Sequence, residues 1–347
     1  METLLYLSAS ETDGSLGQPA LEALGAATSL AAALPGTTLL VGLVGDQVQP
    51  AANQIASCGA KRFLAVAGAD FAAPRYASDA AAATALIQAA GATLVIAPGT
   101  SRWLRCLPGV AARVGGRADT HLTALETLNG QVHAHRWYYR QRMEGVFTRT
   151  QRPWLLVVDP GSQPAWVGLP GQASLEPLAV TLPDNARRTT VTGVREPAAD
   201  AQTIRPDAQL LFVAGAGWTK KQADGQTHVP EAERLIRDFL RLSRASLGSS
   251  KSLVDLGGEG QAVLSFLSHL NQIGQTGATP RHPKGLATCC HGEEPHTVGW
   301  RFVNERRAIS LDPNCGWARG KADVLYVADA FQVMNRVNAL LASEAKV

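Results

Sequence analysis

Four short stretches of the chain gather the residue types that bind a cofactor. In Val213-Ala214-Gly215-Ala216-Gly217, an apolar run ends in a glycine-rich turn, followed by Lys220 and Lys221. Glycines allow the main chain to approach a phosphate, and lysines supply charge. The same pattern also makes an ordinary tight turn. Gly248-Ser249-Ser250-Lys251-Ser252-Leu253-Val254-Asp255 sets hydroxyls and a lysine where a strand gives way to a loop. Most such runs are solvated turns. Asn271-Gln272-Ile273-Gly274-Gln275-Thr276-Gly277 mixes amides, a hydroxyl and glycines. Such side chains read the donor and acceptor edge of a heterocycle without carrying charge. Cys289-Cys290-His291-Gly292-Glu293-Glu294-Pro295-His296 follows an apolar strand. Cysteine and histidine ligate zinc, and Cys315 could join them. Adjacent cysteines suit one tetrahedral site poorly, however, and no C-x-x-C pair occurs. A zinc or iron–sulfur site stays open here beside a plainer reading, in which Cys289 and Cys290 are small core residues. No GxxxxGK[ST] phosphate loop occurs, and no clear nucleophile or general base stands out.

Open parallel sheets bind ligands beyond the carboxyl ends of their strands, and the surrounding pattern supplies such sheets. Strands are expected at Leu4–Leu7, Thr38–Val44, Arg62–Val66 and Thr93–Ala97. Helices are expected at Pro19–Leu34, Gln47–Cys58 and Arg75–Ala90, with apolar residues at helical spacing. Strict alternation of strand and helix implies right-handed crossovers and a mainly parallel sheet. The pattern then changes. His121–Leu128, Gln131–Tyr138 and Val146–Thr150, with Asn129-Gly130 between the first two, predict an antiparallel meander. Trp154–Val158 reads as a further strand. Gly161–Arg205, rich in Pro, Gly, Thr and Asp, reads as a linker with edge strands. A second α/β unit begins near Gln209. Its expected strands are Leu210–Ala214, Leu286–Cys290, Ala308–Leu311 and Val324–Val327, and its expected helices are Glu231–Leu242 and Ala330–Leu341.

The bulk properties exclude several classes. The 347 residues are 46% hydrophobic and 18% charged, which supports real cores and argues against global disorder. A net charge of +3, without a Lys/Arg block, gives no reason to expect nucleic acid. No apolar run approaches the ~20 residues of a membrane helix, so no membrane insertion is expected. Met1–Leu7 lacks a basic leader and reads as a first strand. Five cysteines without the spacing of a secreted framework point to a reducing compartment, the cytoplasm.

Several longer stretches carry a resemblance. They are Pro98-Gly99-Thr100-Ser101-Arg102 with Leu107-Pro108-Gly109-Val110-Ala111-Ala112-Arg113; Asp119 with Leu122-Thr123-Ala124-Leu125; Ser252-Leu253-Val254-Asp255; and Gln272-Ile273-Gly274-Gln275-Thr276-Gly277. They continue with Ala308-Ile309-Ser310-Leu311-Asp312-Pro313, Ala322-Asp323 and Val327-Ala328-Asp329. In this order they resemble the alpha subunit of electron transfer flavoproteins over nearly the whole chain. The strongest matches are to that family's Q-V-G-Q-T-G and A-I-N-k-D-p. The resemblance implies two doubly wound α/β domains: residues 1–205, adenine nucleotide alpha hydrolase-like, contact a beta subunit, and residues 206–347, Rossmann-like, bind FAD. It implies an electron carrier rather than a catalyst with its own substrate, passing electrons from a flavin-dependent dehydrogenase to a downstream acceptor.

Carried over by position, Gly215 and Gly217, Ser250, Gln272, Gly274, Gln275, Gly277, His291, Ser310 and Asp312 would surround FAD. Thr276 would set its hydroxyl near the flavin ring edge, and His296 would lie near the pyrimidine side. A positive group there favours the charge that develops on reduction. Lys251 stands for an arginine beside the ring, and Asp323 would reach toward the adenosine end. The chain departs from the family at Ala216, in place of an arginine, at Ser310, in place of an asparagine, and at His291–Glu294. Restoring arginine at Ala216 is expected to tighten FAD. Glu293 and Glu294 are read as complementing a helix start. The departures keep two alternatives in view: a flavin-free scaffold or regulatory paralogue, and a metal variant of the same fold.

Overall fold

The computed structural model describes residues 2–138, 143–193, 204–205, 208–255, 262–273, 279, 281–288 and 303–344. The chain divides into two compact units, Met1–Val194 and Arg195–Val347.

In the first unit, β1 (Thr3–Ala9), β2 (Thr38–Gly45), β3 (Phe63–Ala67) and β4 (Leu94–Pro98) alternate with four helices: α1 (Gln18–Ala33), α2 (Gln49–Gln54), α3 (Tyr76–Ala90) and α4 (Ser101–Arg113). They are followed by β5 (Arg117–Leu128), β6 (Gln131–Tyr138), β7 (Met143–Phe147), β8 (Trp154–Val158) and β9 (Leu175–Pro177). The nine strands form one sheet in the order β7-β6-β5-β8-β4-β1-β2-β3-β9. β5, β6 and β7 make the antiparallel meander, while β8 inserts in parallel between β4 and β5. Asn129 and Gly130 both have positive φ, 52° and 73°, as a two-residue hairpin turn demands. Alternate side chains of β1 enter opposite cores. Leu4 and Tyr6 pack with α1 on one face, and Leu5 and Leu7 pack with α3 and α4 on the other. A parallel sheet covered on both faces needs such unbroken apolar strands.

Three elements depart from the sequence reading. α2 is shorter than Gln47–Cys58, because a following segment claims its end. The Asn53 carbonyl accepts the Gly171 amide at 2.8 Å, and Asn53 Oδ1 accepts the Ala173 amide at 3.1 Å. The stretch from Gly161 is thus bound to the unit, crossing α1 and α2 to place β9 on the edge strand β3. α4 forms where no helix was expected. Pro108 sits inside it, and Trp103, Cys106, Leu107, Val110 and Ala111 make its buried face.

In the second unit, β10 (Leu210–Ala214), β11 (Ser246–Ser249), β12 (His282–Thr288), β13 (Val303–Ser310) and β14 (Val324–Val327) are all parallel, in the order β11-β10-β12-β13-β14. Leu211 and Val213 face one core with Ile273 and Ala318, whereas Phe212 and Ala214 face the other with helices Val229–Ser243 and Ala330–Glu344. Those two helices are joined by Asn338, whose Nδ2 donates to the Leu235 carbonyl at 2.9 Å. The sheet is therefore doubly wound.

Candidate functional site

The first, third, fourth and fifth strands of the second sheet run to one side, and the second lies on the other. Between β10 and β12 the connections diverge, and the carboxyl ends of a parallel sheet at such a point are where a binding crevice is formed. The glycine-rich turn leaves β10 at this place as a 3-10 turn, Ala216–Thr219. The Gly215 amide donates to the Thr288 carbonyl at 2.9 Å. The Trp218 indole N–H donates to Thr288 Oγ1 at 2.7 Å, and that hydroxyl donates to the Val213 carbonyl at 3.0 Å. Trp218 is fully buried against Phe331, their ring centroids 4.7 Å apart.

Ser250 follows β11. Its amide donates to the Ala214 carbonyl at 2.9 Å, and its hydroxyl accepts the Leu253 amide at 3.2 Å, which starts helix Lys251–Asp255. Helix thus replaces the loop expected there. The Lys251 side chain is half exposed and lies 3.8 Å from Asp255. Gln272 forms a parallel bridge with Ser249, and the Ile273 amide donates to the Ser249 carbonyl at 3.1 Å. This pairing delivers Gln272 and Ile273 to the end of β11. Ser249 Oγ is buried and has no hydrogen-bond partner. Ser310 ends β13, with its hydroxyl accepting the Asp312 amide at 3.2 Å, and Asp312 Oδ1 accepts the Asn314 amide at 2.8 Å.

The structure thus brings Gly215, Gly217, Ser250, Lys251, Gln272, Ser310 and Asp312 to the carboxyl side of one sheet. Asp323 is a correction. It precedes β14, so in a parallel sheet it stands at the amino side, where it accepts the Arg306 amide at 2.6 Å. Asp329, beyond the carboxyl end of β14, instead accepts the Gln332 amide at 2.9 Å at the start of the closing helix. Gly274, Gln275, Thr276, Gly277, His291 and His296 lie outside the described residues, as do Cys289 and Cys290. Among the described residues, no group of three or more His, Cys, Asp or Glu could hold a metal ion, and no helix is long and apolar enough to cross a membrane.

Sequence reasoning did not single out Trp218, Thr288 or the buried Ser249 hydroxyl. A tryptophan directly after the glycine-rich turn was the one visible signal. Ala216 is also informative. It is only 1% exposed and packs in the same core as Trp218, so an arginine side chain has no space there.

The family model for the electron transfer flavoprotein domain matches residues 5–198, more than half of the 347 residues. No curated protein matches the chain. The matched residues carry the alternating β1–β4 core and the meander described above, and the chain belongs to the electron transfer flavoprotein family.

Proposed function

We propose that this chain is the flavin-carrying alpha subunit of an electron transfer flavoprotein. In this reading FAD occupies the crevice of the second unit, and a beta subunit binds the first. A flavin-dependent dehydrogenase supplies the electrons, and a downstream acceptor takes them in the cytoplasm. The observation that carries the reading is the convergence of the glycine turn, Ser250, Gln272 and Ser310 at the carboxyl side of one doubly wound sheet. The family match ends at residue 198, so the flavin assignment rests on this geometry and on the motif resemblance.

The donor set suits such a group. Main-chain amides near Gly217 favour phosphate, while the hydroxyls and amides of Ser250 and Gln272 favour a neutral heterocycle edge. The orphaned Ser249 hydroxyl marks a buried donor that a polar ligand atom could satisfy after a small shift. Bound FAD would supply the redox chemistry, and the chain would hold it and tune it. Lys251 would place positive charge at the mouth of the crevice. Thr276 and His296 are the proposed contacts to the ring itself. Co-expression with the beta subunit tests the reading: a yellow complex that releases FAD is expected. A colourless complex that still contains both subunits would instead support a flavin-free scaffold, and stoichiometric iron or zinc would support the metal variant.

A further inference from the structure

The outer face of α3 carries little side chain. Ala77, Ala81, Thr84, Ala85 and Gln88 recur on it at helical spacing, and the one charged residue of the helix, Asp79, is buried. Solvated helix faces usually carry long polar or charged residues. Opposite stands the segment that follows β9. Leu182 is anchored in the core beneath α3, and the 3-10 turn Asp184–Arg187 follows it. The small side chains of α3 leave the space between these walls open, as a cleft of about 470 Å³. Cavities of this size hold small organic ligands. The helix rises about 16 Å from Ala77 to Gln88, so the cleft is an elongated trough.

Charge stands at one end of it. Arg113, the last residue of α4, lines the cleft with its guanidinium 5.7 Å over the Tyr76 ring. Arg188 lines it too, and the carbonyl of the adjoining Thr189 accepts a hydrogen bond from Arg75 Nη1 at 3.4 Å. Arg75 and Tyr76 stand at the start of α3, so both cations belong to that end.

The neighbouring arginines are matched by carboxylates. Arg75 and Arg187 share Asp70 at 3.0 and 2.9 Å, and Arg102 holds Asp79 at 2.7 Å. Among the described residues, Arg113 and Arg188 form no ion pair. Arg113 stacks on Tyr76, and Arg188 donates through Nε to the Asn185 carbonyl at 3.2 Å. Asp184 lies 3.8 Å from Arg187 and does not line the cleft, nor does any other described Asp or Glu. Two like charges at one end of a trough, without a counter-ion, make that end a site for an anion.

The rest of the lining defines the rest of the ligand. Thr84 commits its hydroxyl proton to the Ala80 carbonyl at 2.7 Å, which leaves the middle of the trough apolar. A guanidinium fork matches the two oxygens of a carboxylate, and two forks can hold one carboxylate from both sides. The alanine floor suits an unbranched hydrocarbon chain.

We propose that this cleft binds an aliphatic carboxylate, with its carboxylate between Arg113 and Arg188 and its chain along Ala81 and Ala85 toward Gln88. The site lies within the first unit and does not depend on how the crevice of the second unit is filled. Isothermal titration calorimetry of the full chain with octanoate, 1-octanol, acetate and octyl phosphate tests it. Octanoate should bind one to one, roughly tenfold or more tighter than either 1-octanol, which lacks the charge, or acetate, which lacks the chain. Arg113→Gln and Arg188→Gln, both at exposed positions, should each weaken octanoate roughly fivefold or more while keeping the wild-type circular dichroism melt. Ala81→Leu, which fills the trough, should weaken octanoate as well. No heat with octanoate, equal affinity for octanoate and 1-octanol, or unchanged octanoate affinity in both arginine variants overturns the proposal. Octyl phosphate binding roughly tenfold tighter than octanoate would assign the head group to phosphate and overturn the carboxylate.

Discussion

The Trp218 indole N–H donates to Thr288 Oγ1 at 2.7 Å, and so fastens the glycine-rich turn after β10 to the end of β12. The bond spans 70 positions of sequence and is buried. Thr288→Val keeps the shape but leaves the buried indole N–H without an acceptor. Such a loss costs about 1–3 kcal/mol. Chemical denaturation should show a destabilisation in this range, whereas a midpoint equal to that of wild type would mean the bond contributes nothing.

A second polar junction joins the strands of the first unit. Asp119 on β5 accepts the Trp154 indole N–H at 2.8 Å and Arg149 Nη2 at 2.8 Å, and Arg149 Nε bonds the same carboxylate. Trp154 is fully buried, while the Arg149 side chain is partly exposed. Asp119→Ala should therefore cost about 2–4 kcal/mol, most of it from the stranded indole and the lost buried partner of Arg149. Arg149→Ala should cost less, because solvent screens that half of the junction. Urea midpoints of the two variants would rank them, and the reverse order would contradict this account.

Arginine at position 216, which the family resemblance favours, should not tighten FAD in this chain. Ala216 is enclosed by the core around Trp218. Overpacking of this kind costs about 1–3 kcal/mol or more. Ala216→Arg should lower the melting temperature and reduce flavin retention. An unchanged melting temperature together with tighter FAD would show that the turn opens to admit the side chain.

Acid should weaken one surface tie in a defined direction. Hydrogen bonds from Arg187 and Arg75 hold the Asp70 carboxyl below its ordinary value of 3.8. A depressed native value means this stabilisation is present above the unfolded value and is lost as pH falls through the native one. Melting temperatures of wild type and Asp70→Asn should therefore differ most near neutrality and converge below about pH 3.8. A constant gap across that range would assign the effect to something other than this ionisation.

Much of the fold was legible because parallel strands buried on both faces leave long apolar runs, as in Leu4–Leu7 and Leu210–Ala214. Asn129-Gly130 marked its hairpin because few other pairs tolerate two positive φ values. α4 was hidden because Pro108-Gly109 reads as a break, although Trp103, Leu107, Val110 and Ala111 repeat at helical spacing. β11, Ser-Leu-Gly-Ser, has too little apolar character to mark its full extent, and its neighbours β10 and Ile273 complete it. The glycine turn and the Gln272 stretch were visible as local polarity. The Trp218–Thr288 bond was not, because only the strand order brings residues so distant in sequence together. Asp323 was placed by the resemblance alone, and strand direction sets it at the opposite side.

The most direct test of the flavin reading is a titration of FAD onto the flavin-stripped two-subunit complex, followed by flavin fluorescence. Saturation at one equivalent is predicted, with at least tenfold weaker binding by Lys251→Glu, which reverses an exposed charge at the mouth of the crevice. A wild-type complex that leaves FAD fluorescence unchanged would contradict the account. Equal affinity in Lys251→Glu would place the ring elsewhere.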